Sequence, residues 1–264
     1  MPELPPLNHR HHDALRLKAL LREPSARRDE AAVVLEGPRI IADALDRGVT
    51  LEGVYLGPGA RQSFSALVAR LDAASVPVRD FKEGTLEKIG TTRTPQPVLG
   101  VAPLPAAVSL DTVADGLVVL ALDVADPGNL GTIVRSAEAA GAVAVVVTGG
   151  VDPWNPKVVR GSAGSVFGVP IAVAADAAMA LTQLRSRGWR AVGAESSGAV
   201  THTDADLTGS VVLVLGSEAH GIPAAIVAEL DSVVRIPMSG AIESLNVSVA
   251  ASILMFEAAR QSGR

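Results

Sequence analysis

The chain has 264 residues, enough for two domains, and no cysteine, which excludes disulfides, thiolate metal sites and a cysteine nucleophile. Hydrophobic residues make up 48% and mean hydropathy is +0.33, so a sizeable core can be buried, yet no apolar run reaches the roughly 18 residues of a membrane span. Nothing near the N-terminus reads as a secretory leader, and a cytoplasmic location is the expectation. The net charge of −5 argues by itself against a nucleic-acid partner. The charge is uneven, however: residues 1–104 hold 14 Lys+Arg and 13 Asp+Glu, while the rest of the chain holds 9 and 15. Arg10, Arg16, Lys18, Arg22, Arg27 and Arg28 crowd the start, among acids that read equally well as their partners on a solvated helix face.

In chain order, HHDALRLKALL reads as a helix with Leu15, Leu17, Leu20 and Leu21 mostly on one side. AAVVLEG is a strand, and PRIIADALDRG a helix with Pro38 near its first position and Gly48 past its end. LEGVYLG, FSALVARLDAA and VPVRDF give strand, helix, strand. TLEKIG is a short helix and PQPVLGVAPLP a proline-bounded strand. The segment APLPAAVSLDTVAD reads as a connector, so the expected domains are 1–104 and 117–264 with a linker at 105–116. The second begins with strand LVVLALDV, a helix from about 129 to 140, and strand AVAVVVTGG. A loop with a short helix follows, DPWNPKVVRGSAGS, then strand VPIAVA, helix AAMALTQLRSRG, strand WRAVGAE and the polar loop SSGAVTHTDADLTG. Strand SVVLVLG, a short helix near AAIVAEL, strand SVVRIP and a helix from about 244 to 261 complete it. Strands such as VVLAL, AVVV and VVLVL are apolar throughout, as in a parallel sheet covered on both faces. The fold class is α/β.

In such a sheet the chemistry sits beyond the carboxyl ends of the strands, and three loops there stand out. In ADPGNLGTIVRSAEAAG, Leu130, Ile133, Val134, Ala137 and Ala140 form the buried stripe. Asn129 lies near the helix start, where it also reads as an N-cap, and Arg135 lies off the stripe, where it also reads as a surface partner of Glu138. In LVLGSEAHG a buried strand breaks at Gly216 and a carboxylate follows at Glu218. In RIPMSGAIESLNVSVAASILMFEAAR, Ser244 is a candidate N-cap. Asn246 and Ser248 stand in the first turns of an Ala/Val-rich helix, where such side chains compete with backbone bonding. No metal set, no G-x-S-x-G elbow and no Ser–His–Asp arrangement is present. A site with so few charges suits a nucleotide-type ligand held by backbone groups. A nicotinamide cofactor is disfavoured, because no G-x-G-x-x-G follows the first strand of either domain.

NLGTIVRSAEAAG, LVLGSEAHGIP and IPMSGAIESLNVSVAASILMFEAAR closely resemble motifs 1, 2 and 3 of the SpoU (TrmH) family of RNA 2′-O-ribose methyltransferases, in the SPOUT superfamily, with matching order and spacing. VVLEGPRIIADAL resembles the "EG-x-R" segment of the family's substrate-binding domain, and TRTPQPVLGVA its closing "T-P-Q" strand. The resemblance implies a catalytic domain with a mostly parallel sheet and a deep trefoil knot, preceded by a small ribosomal-protein-like α/β domain. It implies S-adenosylmethionine (AdoMet) as cofactor, bound by Thr148 and Gly149, by Leu215, Gly216 and Ser217, and by Ile236, Met238, Ser244, Leu245 and Asn246. It implies Arg135 as the catalytic residue, with Asn129, Glu218, Ser244 and Asn246 ordering the site. Arg39, Lys157, Arg160 and Ser162 become candidate RNA contacts, and no metal is implied. The implied partners are a second copy of the chain and RNA, with 23S ribosomal RNA first and tRNA second. The alternative is a non-catalytic RNA-binding or ribosome-assembly factor, against which the intact motif residues weigh.

Overall fold

The computed structural model describes residues 4–91, 94–217, 219–240 and 242–263. Glu218, and Thr92 and Arg93 at the start of the T-P-Q segment, lie outside the described residues. The chain forms two compact units, Met1–Pro105 with Trp154–Phe167, and Ala106–Pro153 with Gly168–Arg264.

The first unit contains α1 (His12–Arg22), α2 (Pro24–Asp29), β1 (Ala32–Glu36), α3 (Pro38–Asp46), β2 (Gly53–Leu56), α4 (Ala60–Ser63), α5 (Ser65–Ala73), β3 (Val78–Asp80), α6 (Thr85–Ile89) and β4 (Val98–Pro103). Its sheet runs β1-β4-β2-β3, antiparallel except for β2 and β3. On α1 the inward positions are Ala14, Leu17, Leu20 and Leu21; Leu15, expected inside, is 53% exposed because Ala14 takes that side of the helix. Part of the basic cluster at the start is used internally. Arg27 is 1% exposed and donates to Leu20 O at 2.6 Å, and Arg16 pairs with Glu30 (2.5 Å) and Glu52 (2.8 Å).

The second unit begins with β5 (Leu117–Leu122), α7 (Pro127–Ala139) and β6 (Ala144–Thr148). The chain then gives α8 (Pro156–Gly161) to the first unit, where Val158 and Val159 are buried and the helix packs on β1. Back in the second unit follow β7 (Ile171–Ala174), α9 (Ala177–Ser186), β8 (Arg190–Ala194), β9 (Val200–Thr201), β10 (Val211–Leu215), α10 (Ala224–Val227), β11 (Ser232–Arg235) and α11 (Val247–Gln261). Its seven-stranded sheet has the order β7-β6-β5-β10-β8-β11-β9, and every pairing is parallel. The fully buried β5, β6 and β10 are the strands whose sequences are apolar throughout. Within SSGAVTHTDADLTG, read as loop, Val200 and Thr201 pair with β11, because that strand would otherwise leave an open edge. Two helix starts also differ from expectation. Asp126 caps α7, accepting Asn129 N–H at 2.9 Å, so Asn129 is the third helical residue and not the cap. Asn246 caps α11 in place of Ser244, accepting Ser248 N–H at 2.9 Å and Val249 N–H at 3.4 Å.

One ion pair fastens α8 within the first unit. Arg160 Nη1 donates to Glu36 Oε2 at 2.9 Å; the Glu36 side chain is 1% exposed and that of Arg160 38%. Burial holds the Glu36 carboxyl above its ordinary value, and Arg160 pulls it part of the way back. The folded state therefore keeps this proton more tightly than the unfolded chain. The group favours folding most below the unfolded value of 4.5, and that contribution is lost as pH rises through the raised folded value. Chemical denaturation at stepped pH should show wild-type stability falling relative to Glu36→Gln over this window. A pH-independent difference would remove the titration from the account.

Candidate active site

β10, β8 and β11 are neighbours in the sheet, and their carboxyl ends open on one cavity of about 580 Å³. The volume is within the range of small-ligand sites. β10 contributes Leu215, Gly216 and Ser217; β11 and the segment after it contribute Ile236, Met238, Ser244, Leu245 and Asn246. The structure thus brings together eight of the ten expected cofactor residues. Glu195, Ser196 and Ser197, after β8, also line the cavity and were missed from the sequence. Their signal was available: WRAVGAE is a strand ending in a carboxylate, followed by Ser-Ser-Gly, at the same end of the sheet as the other two.

Thr148 and Gly149 do not line this cavity. Thr148 ends β6 and Gly149 follows it, and β5 stands between β6 and β10. The Gly149 backbone has φ +61°, and a Cβ there would fall 1.8 Å from Asp123 Oδ1, so its close approach is to the loop after β5.

The 236–246 segment leaves β11 near one edge of the sheet, yet α11 packs on α7 and β10. Its residues Ile236 and Met238, and Ser244 to Asn246, therefore lie at the carboxyl ends of the strands, where they form a wall of the cavity. Where α11 meets α7 the contact is polar. Asn246 Oδ1 is taken up by the helix cap and by the Ser248 hydroxyl (2.7 Å), so the amide turns Nδ2 toward Asn129 Oδ1, at 2.9 Å. One turn on, Ser252 Oγ donates to Ser248 O at 2.7 Å and so accepts from Ser136 Oγ, also 2.7 Å. The hydroxyl and amide side chains that looked out of place in an apolar helix cap it and join it to α7. Asn129 is thereby linked to the cavity wall, although neither it nor Arg135 lines the cavity. Arg135 is exposed on α7, with no side-chain hydrogen bond or ion pair among the described residues, Glu138 included.

Asn246 allows two roles to be separated. Asn246→Ala removes cap and link together and should cost about 1 kcal/mol. Asn246→Asp keeps a cap acceptor but cannot donate to Asn129, so its stability should stay within about 0.5 kcal/mol of wild type while activity falls. Thermal denaturation beside turnover measures both; full activity in Asn246→Asp would show that the link has no part in the reaction.

The four candidate RNA contacts all lie in the first unit. Arg39, Lys157 and Arg160 are exposed, Arg160 while holding Glu36. Ser162 is fully buried and donates to Val159 O at 2.8 Å, so its hydroxyl closes α8 and is not presented to a ligand.

A parallel α/β sheet with a cavity of mixed backbone, hydroxyl and aliphatic lining at its carboxyl ends belongs to the nucleotide-type ligand binders. Comparison with known proteins makes this specific. The model of the SpoU rRNA Methylase family matches residues 116–256, and that of the MRM3-like substrate binding domain residues 15–100. An uncharacterized tRNA/rRNA methyltransferase of Mycobacterium tuberculosis (strain ATCC 25177 / H37Ra) is 34% identical, covering 98% of this chain and 84% of that protein. The crystal structure of AdoMet-bound rRNA methyltransferase from Sinorhizobium meliloti is 30% identical over 97% of both chains, with a TM-score of 0.81. That of an RNA 2′-O ribose methyltransferase is 31% identical, covering 96% of this chain and 97% of that one, with a TM-score of 0.77. The chain belongs to the SpoU methylase family and is an RNA methyltransferase; enzymes of this family use AdoMet.

Proposed function

We propose that this chain transfers a methyl group from AdoMet to a ribose 2′-hydroxyl of structured RNA, with 23S ribosomal RNA as the target and tRNA as the second candidate. The observation that carries the reading is the Asn246–Asn129 hydrogen bond, which ties the cavity at three strand ends to the helix bearing Arg135. The lining fits the cofactor: aliphatic side chains for an adenine ring, strand-end backbone and serine hydroxyls for its polar edges, and a carboxylate for positive charge. When bound, AdoMet supplies an electrophilic methyl group on a sulfonium. Leu215, Gly216, Ser217, Ile236, Met238, Leu245 and Asn246 would hold it, with Ser244 and Glu218 ordering the loops.

The ribose hydroxyl is a weak nucleophile, so in-line positioning supplies much of the rate. Asn129, held by Asn246, orients the ribose or Arg135. Arginine stays protonated in proteins; Arg135 therefore orients an RNA phosphate and stabilises the developing alkoxide, and does not act as a free base. The substrate-binding unit offers Arg39, Lys157 and Arg160 to looped RNA, recognising shape with a few arginines in place of a broad basic field. A second copy of the chain covers Val249, Ile253 and Phe256 of α11, spaced i, i+4, i+7; Val249 and Phe256 are 47% and 52% exposed. The setting is the cytoplasm. No helix among the described residues is long and apolar enough to cross a membrane.

The test is labelled-methyl transfer to ribosomal and transfer RNA from a strain lacking the gene, followed by mapping of the modified atom. A single ribose 2′-O-methyl in 23S RNA is expected. Label on tRNA alone would move the target, and label on a base would overturn the ribose assignment. Tight RNA binding without any transfer would favour the assembly-factor reading.

A further inference from the structure

Among the described residues that line the cavity, Glu195 is the only one with a formal charge. Its backbone is fixed on both sides: its N–H donates to Val234 O at 3.0 Å, and its carbonyl accepts Gly198 N–H at 3.0 Å. Its carboxylate Oε1 accepts Ile222 N–H at 3.2 Å, which fastens the turn after β10 to the end of β8. No cation among the described residues pairs with it. A carboxylate fixed in a cavity without a protein counter-ion attracts a cationic ligand more strongly than a neutral one.

We propose that Glu195 is a specificity-determining residue that makes the pocket prefer the cationic cofactor to its own demethylated product; the inference rests on the AdoMet reading. In the transfer, the methyl carbon–sulfur bond breaks and a carbon–oxygen bond forms. The bonding electron pair stays on sulfur, which becomes a neutral thioether, and the hydroxyl proton is released. Turnover therefore removes one positive charge from the ligand. The attraction of Glu195 acts on AdoMet and is weaker for S-adenosylhomocysteine, so the same side chain favours loading before the reaction and release after it. Binding that distinguishes the two states in this way also relieves product inhibition.

Glu195→Gln tests this with the full chain. The amide still offers an acceptor to Ile222 N–H, so the turn is retained while the charge is lost. Calorimetric titration with AdoMet and with S-adenosylhomocysteine, in both proteins, gives two affinity ratios. The variant should lose about tenfold in affinity for AdoMet and little for S-adenosylhomocysteine, the scale of one charge–charge contact in a partly solvated site. The wild-type ratio should also shrink as salt is raised, and the variant's should not. Equal losses for both ligands would show that Glu195 acts on the turn or on the α-ammonium that the two share, and would overturn the inference alone. No loss for either would overturn it too. Absence of AdoMet binding by the unaltered chain would sink the cofactor reading and this inference with it.

Discussion

Arg135→Ala is expected to fold normally, to bind AdoMet as the wild type does, and to transfer methyl groups roughly 10²–10³-fold more slowly, the scale of removing one preorganised charge stabiliser. Each part has its own ground. The side chain is exposed on α7 and partnered with nothing among the described residues, so its removal breaks no folding contact. It is absent from the lining of the cavity, so cofactor affinity should be indifferent to it. Single-turnover rates beside calorimetric affinities separate the two. Near wild-type turnover would take Arg135 out of the mechanism. A parallel drop in AdoMet affinity would show that it acts on the cofactor and not on the RNA.

Gly216→Ala should be nearly as damaging for a different reason. A Cβ at this position would fall 2.2 Å from Gly221 C and 2.5 Å from both Gly221 O and Ile222 N. These are backbone atoms of a turn closed by Ser217 N–H to Gly221 O (3.1 Å) and Gly221 N–H to Ser217 O (3.0 Å). No rotamer change can relieve the clash, so the turn itself must open, and with it the Ile222 bond to Glu195. We expect a cost of about 1–3 kcal/mol from overpacking. Methyl transfer should fall roughly 10²-fold, because wall atoms about 1 Å out of place misalign the reactants. Unchanged AdoMet affinity in a folded Gly216→Ala protein would show that this wall does not form the cofactor site.

The central strands of the sheet were legible because both of their faces are buried. VVLAL and VVLVL have no polar position to spare, and a parallel central strand is the structure that asks for that. Helix starts were less legible. Asp126, Asn129, Ser244 and Asn246 can all cap, and local sequence does not say which one the tertiary contact occupies. Asn246 takes that role because its amide also reaches Asn129, a residue 117 positions away. Glu195 was overlooked because a carboxylate before Ser-Ser-Gly looks like any solvated loop until β8 is placed between β10 and β11. The fate of KVVRGSAGS was equally non-local: it read as a loop helix carrying candidate RNA contacts, whereas Val158, Val159 and the Glu36 pair bind the segment to a strand over a hundred residues earlier.

That last arrangement fixes an order of events during synthesis. β1 is made early, but the helix that covers it is encoded after β5, α7 and β6 of the other unit. When its own contiguous sequence leaves the ribosome, the first unit still lacks the helix that packs on β1. Glu36 waits without Arg160, and β1 without Val158 and Val159, until residue 167 has emerged. The first unit is therefore expected to complete only after part of the second has been made, against the usual N-terminal-first order. A nascent chain stalled just past residue 105 should be open to proteases that spare one stalled well past 167.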